Sequence, residues 1–275
     1  MYHLHWGLSD SPFRNRLDAK QFHASPAHDE ALARLHFLAD QRRRLGVLMA
    51  DPGCGKSLLL EVFAAELRRA GRSVARLSLL GLDPHEFCWQ LASAFGLSPR
   101  EPATTAQLWR KLTDHLHENR YQRIDTVVLL DDADEAADDV LQQAARLAQS
   151  ENSSDSRLTI VVTADRGRVE RLGNRLLDLA ELRVDVAPWE YSDTVDYITS
   201  ALRRCGRDRP AFTAAALARL HEVTRGVPRR INQLADLCLL AGAGKDLQQI
   251  DVDTINTVQD ELGVKMSPVS PTVDS

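Results

Sequence analysis

Two kinds of apolar spacing alternate along the middle of the chain. Short strand-like runs stand at Leu45–Ala50, Ser73–Leu80, Thr126–Leu130, Leu158–Thr163 and Leu182–Val186. Several are continuous, as strands buried on both faces must be. Between them the spacing predicts helices over Lys56–Ala70, Pro84–Phe95, about 105–121, Asp138–Gln149 and Val169–Leu177. Strands separated by helices predict an α/β fold with a five-stranded parallel sheet covered on both faces. A preceding helix is expected where Ser25 caps and Pro26 opens a run carrying Ala31, Leu32, Leu35 and Leu38. After Pro188 only helical spacing remains, over Ser192–Arg204, Thr213–Thr224, Pro228–Ala241 and Val252–Leu262. The chain therefore divides into an arm at 1–24, an α/β core at 25–188, a small all-helical lid at 189–262 and a tail at 263–275. The arm reads as irregular. The tail, with Pro268 and Pro271 among Ser, Thr and Val, reads as disordered.

Composition narrows the function classes. At 275 residues the chain can bury a substantial core. Its 34 basic and 39 acidic residues leave a net charge of -5, which argues against coating DNA or an acidic membrane by bulk charge. The cysteines, Cys54, Cys88, Cys205 and Cys238, lack the paired spacing of a zinc site or a disulfide framework. No run approaches the ~20 apolar residues that span a bilayer, and Met1–Trp6 does not read as a secretory signal. A cytoplasmic protein is expected.

The densest chemistry lies where the first strand meets its helix. Ala50-Asp51-Pro52-Gly53-Cys54-Gly55-Lys56-Ser57 follows the pattern GxxxxGK(S/T), with Ala50 in place of the first glycine. Gly53 and Gly55 would let backbone N–H groups turn toward phosphates, helped by the following helix N-terminus. Residues Asp51 through Leu58 are thus the expected nucleotide contacts. Lys56 would reach the β- and γ-phosphates, and Ser57 would hold Mg²⁺. The ligand expected is Mg-ATP.

A second motif, Val127-Val128-Leu129-Leu130-Asp131-Asp132, ends a buried strand in acid. Asp131 would be the second magnesium residue, and Asp132 the base that activates water. Glu is the commoner residue type at the latter position. Asp132 is one methylene shorter, so slow hydrolysis is expected. Thr163, at the end of Leu158–Thr163, either orients the attacking water or is a simple strand-end hydroxyl. Arg229, in Arg225-Gly226-Val227-Pro228-Arg229-Arg230-Ile231-Asn232, would project from a helix N-terminus, where a cation is unfavourable unless a phosphate faces it.

These motifs, together with Tyr2…Trp6-Gly7-Leu8…Pro12-Phe13 and Ser25-Pro26-Ala27-His28-Asp29-Glu30-Ala31-Leu32, resemble AAA+ ATPases. Among them, the chain resembles the ATPase module of the general secretion pathway protein A family. The resemblance implies a P-loop AAA+ core with a helical lid, ATP between them, and Arg229 as the lid's sensor arginine. It also implies nucleotide-dependent homo-oligomers in which an arginine reaches a neighbour's site. Leu182 stands about where that arginine is expected, leaving Arg175 and Arg183 as candidates. Thr163-Ala164-Asp165-Arg166 replaces a Gly-Gln-Pro-Glu run found in relatives. The same type of ATPase resembles transposition helpers that bind DNA.

Three functions follow. The first is a secretion-type assembly or regulatory ATPase acting on a protein partner, such as a secretion or membrane assembly. The second is an ATP-dependent DNA-binding adaptor. The third is a nucleotide switch with little hydrolysis.

Overall fold

The computed structural model describes residues 2–15, 17, 19, 22–99, 102–151, 153 and 155–262. The tail expected at 263–275 lies outside them. The chain forms two compact units. One runs from Leu17 to Pro188; the other joins the N-terminal residues through Arg16 to the chain from Trp189 onward.

The first unit is built on strands β1 (Leu45–Ala50), β2 (Ser73–Ser78), β3 (Thr126–Asp131), β4 (Leu158–Asp165) and β5 (Leu182–Val186). They form a five-stranded sheet in the order β2-β3-β4-β1-β5, parallel throughout. Position in the sheet explains the sequence pattern. β3 is buried at every position and β4 at all but its last, which accounts for their unbroken Val, Leu and Ile runs. The edge strands β2 and β5 expose some side chains, and Arg76 and Arg183 occupy them.

Helices α2 (Pro26–Asp40), α3 (Lys56–Arg69), α4 (Pro84–Ala94), α5 (Thr105–Tyr121), α6 (Asp138–Ala148) and α7 (Gly173–Leu179) also belong to this unit. Their starts obey local chemistry. Ser25 caps α2 through the His28 N–H, and Asp83 and Thr104 close capping boxes on α4 and α5. The helix expected over Val169–Leu177 is instead a 3-10 segment, Arg166–Leu172, followed by α7. Gly173, with φ of 74°, separates the two.

The second unit holds α8 (Tyr191–Arg204), α9 (Ala214–Thr224), α10 (Pro228–Gly244) and α11 (Val252–Glu261). The N-terminal residues are not an irregular arm here. Tyr2–Trp6 forms a short helix, α1, and Trp6, Leu8 and Phe13 are buried in the helical core. The Trp6 indole N–H donates to the Leu239 carbonyl at 2.7 Å. Gly226, between α9 and α10, has φ of 69°, and a Cβ there would sit 2.0 Å from the Trp189 carbonyl oxygen. Only glycine fits that turn. Among the described residues, no helix is long and apolar enough to cross a membrane.

Candidate active site

β1 ends at Ala50 and α3 starts at Lys56, so Asp51–Gly55 must reverse direction in five residues. Gly53 and Gly55 do this at φ of 89° and 92°. Gly55 caps α3 without a side chain, unlike Asp83 and Thr104 on their helices. The first-turn N–H groups of α3 therefore have no side-chain cap and can meet a ligand's oxygens. A turn of positive-φ glycines, an uncapped helix start and the Lys56 ammonium together fit a polyphosphate. Ala50 is fully buried at the strand end, where the missing first glycine demands nothing.

The acidic motif lies at the same carboxyl edge of the sheet, with β4 between it and β1. Asp131 is buried and richly held. Its Oδ1 accepts from Thr163 Oγ1 at 2.6 Å and from the Asp132 N–H at 3.2 Å; its Oδ2 accepts from Arg76 Nη2 at 3.1 Å. A carboxylate has about four acceptor positions, so this one keeps capacity for a further donor or a hydrated cation. The Ser57 hydroxyl and Asp131 carboxylate are the hard oxygen donors that suit Mg²⁺.

Asp132 adopts the left-handed conformation, φ 55° and ψ 38°. Its Oδ2 accepts from Ser78 Oγ at 2.8 Å, and its N–H donates to Thr163 Oγ1 at 3.0 Å. Burial pushes its carboxyl pKa up. The Ser78 hydrogen bond opposes that shift, and the nearby Asp131 and Asp134 charges reinforce it. A raised pKa suits a group that must accept a proton. Thr163 is fully buried, with its hydroxyl engaged by both aspartates. Thr163 thus links Asp131 and Asp132 through one hydroxyl.

The family profile described as an AAA domain matches residues 39–172. That span, just under half of the chain, is similar to AAA domains. The chain is 27% identical to General secretion pathway protein A of Aeromonas hydrophila over 254 residues, which are 91% of this chain and 46% of that protein. Among solved structures, the Aeropyrum pernix ORC1 protein in complex with DNA matches 88% of this chain and 67% of its own, with a TM-score of 0.65 and 15% identity. The Thermotoga maritima RuvB Holliday junction branch migration motor matches 93% of this chain and 74% of its own, with a TM-score of 0.60 and 15% identity. At such identities the likeness concerns the fold alone.

Two side chains that the sequence did not single out brace the turn at Asp51–Gly55 and the start of α3. Arg76 on β2 donates to Glu61 Oε2 at 2.6 Å, to the Ser57 carbonyl at 3.2 Å and to Asp131. One guanidinium thus ties the first turn of α3 to the acidic strand end. The planar fork holds the three acceptors from two nitrogens in a fixed geometry. His28 is buried, with Nε2 3.1 Å from the Cys54 carbonyl and Nδ1 2.7 Å from Ser25 Oγ. The ring thus bridges the cap of α2 and the turn before α3. A Cβ on Gly55 would stand 3.1 Å from the same Nε2, so the ring fixes both sides of the turn.

The arginines are dispersed. Arg175 on α7 donates to Gln149 Oε1 at 3.0 Å, and Arg183 lies in β5 opposite Val47. Both are exposed on the first unit. Arg229 is exposed at the second position of α10, in the helical unit.

Proposed function

We propose that this chain binds Mg-ATP at Asp51–Leu58, hydrolyses it slowly, and uses the cycle to regulate or assemble a protein partner. The observation that supports this most is the uncapped, glycine-turned start of α3, with Lys56 beside it and Asp131–Asp132 at the same edge of the sheet. Magnesium, held by Ser57 and Asp131, would neutralise charge on the transferred phosphoryl group. Thr163 and Arg76 keep Asp131 oriented, and Ser78 orients Asp132 toward an attacking water. Arg229 would act as the sensor arginine, and Arg175 or Arg183 would serve a neighbouring copy in a nucleotide-dependent oligomer. Similarity to General secretion pathway protein A favours a partner in a secretion or membrane assembly, reached from the cytoplasm.

Phosphate release tests the base. Asp132→Asn is expected to bind Mg-ATP within a few-fold of wild type and to lose at least about 100-fold in turnover, the usual scale of general-base catalysis. Wild-type turnover should rise with pH as Asp132 loses its proton, with an acid limb displaced upward from the ordinary aspartate value. Ser78→Ala removes the hydrogen bond that lowers this pKa, so its limb should move to higher pH. Unchanged turnover in Asp132→Asn would remove Asp132 from the mechanism.

The DNA-adaptor reading draws on one observation, the fold shared with an ORC1 protein solved in complex with DNA. Salt-dependent DNA binding that requires ATP would favour it. Lack of binding at low salt with ATP leaves the protein-partner reading.

A further inference from the structure

β4 runs two residues past Thr163, and this places Asp165 in register with Ala50, the last residue before the phosphate loop. Asp165 Oδ1 accepts a hydrogen bond from Lys56 Nζ, which also donates to the Ala50 carbonyl at 3.0 Å. Both side chains are largely shielded, Lys56 at 10% and Asp165 at 13% exposure. The other carboxylate oxygen, Oδ2, accepts from Arg168 Nη2 at 2.7 Å. Arg168, in the 3-10 segment, also pairs with Asp134 at 3.1 Å and with Glu135. Burial alone would raise the Asp165 pKa, but the hydrogen bonds from Lys56 and Arg168 outweigh it and hold the carboxyl low. The group is a charged carboxylate at neutral pH.

An ammonium has three donors. In Lys56, two of them are committed within the protein, one to an anion. The terminal phosphates of a nucleotide need the same donors.

We propose that Asp165 is a resident competing anion in the phosphate loop, which an incoming nucleotide must displace from Lys56. Arg168 retains the displaced carboxylate, so the exchange leaves no buried charge uncompensated. Nucleotide affinity is then lower than the loop alone would give. It is also adjustable: a contact that shifts the Arg166–Leu172 segment changes how firmly Asp165 holds Lys56. This inference rests on the proposal that the loop binds nucleotide.

The experiment is a titration of the full chain with fluorescently labelled ATP and Mg²⁺, using wild type, Asp165→Asn, Asp165→Leu, Arg168→Ala, Arg168→Ala in the Asp165→Asn background, and Lys56→Ala. Thermal unfolding first identifies which Asp165 variant keeps the wild-type fold. The folded Asp165 variant is expected to bind about tenfold tighter than wild type, the gain from freeing one charge-assisted hydrogen bond. Arg168→Ala leaves Lys56 as the only cation on Asp165, so binding should weaken severalfold, with no such effect in the Asp165→Asn background. Equal or weaker binding by folded Asp165 variants, with binding still lost in Lys56→Ala, overturns the proposal: Asp165 would then simply orient Lys56. If wild type, Asp165→Asn and Lys56→Ala all fail to bind, the nucleotide site itself is wrong, and the proposal falls with it.

Discussion

Replacing Lys56 with alanine should weaken Mg-ATP binding by roughly 100-fold or more, measured by the same titration at low and moderate salt. A hydrogen bond to a charged group contributes about 1.5–3 kcal/mol, and the ammonium can make two to phosphate oxygens. Part of that gain is offset because Lys56 gives up Asp165 on binding. A net of about 3 kcal/mol remains, and each 1.4 kcal/mol is tenfold in affinity. The substitution also leaves the Asp165 carboxylate facing the phosphates with only Arg168 as a counter-ion. The two residues should therefore couple. Adding Asp165→Asn to Lys56→Ala should recover part of the lost affinity, a non-additivity expected of side chains in direct contact. Binding within about threefold of wild type in Lys56→Ala would mean that the loop does not use its lysine.

What was legible in the chain, and what was not, follows from sequence separation. Lys56 and Ser57 could be read because the strand, the glycine turn and the helix start are contiguous. Asp131 could be read because an unbroken apolar run ends there. Their neighbours come from elsewhere. Arg76 meets Asp131 only because β2 lies beside β3, and Asp165 meets Lys56 only because β4 lies between β3 and β1. Spacing alone does not state that order. Thr163 was legible as a polar strand end, but the strand was expected to stop there. Two more residues in the sheet bring Asp165 to Lys56. His28 was visible as part of a helix start and of the run that carries the resemblance, and its contact with the Cys54 carbonyl needs the folded loop. The helix over Val169–Leu177 failed for a local reason: Gly173 takes a positive φ that an α-helix cannot continue through. Residues 2–6 failed for the opposite reason. A five-residue helix has no periodicity to read and too few hydrogen bonds to stand alone, so it exists by virtue of what it packs against.

That dependence should run both ways, and Trp6→Ala is the test. The indole is 1% exposed, and its N–H is satisfied by the Leu239 carbonyl of α10. α10 is shaped to receive it. A Cβ at Gly242 would come within 2.8 Å of the Trp6 ring and 2.3 Å of the Ile250 side chain, so a glycine sits where the ring presses on the helix. The Arg207 guanidinium stands 5.0 Å over the ring and donates to the Trp6 carbonyl at 2.7 Å. Alanine would keep that backbone hydrogen bond and lose the packing, the indole donor and the cation–π contact. A buried tryptophan truncated to alanine costs about 3–5 kcal/mol, because the space left behind collapses only partly. Native-state hydrogen exchange locates the effect without assuming that the chain unfolds in a single step. Amides of α10 should exchange at least about 100-fold faster in Trp6→Ala, the equivalent of about 3 kcal/mol. A change in α10 protection worth less than about 1 kcal/mol would show that the N-terminal helix only covers the helical unit. A change of the expected size would make residues 2–13 part of that unit's core, so that removing them would unfold the helices that carry Arg229.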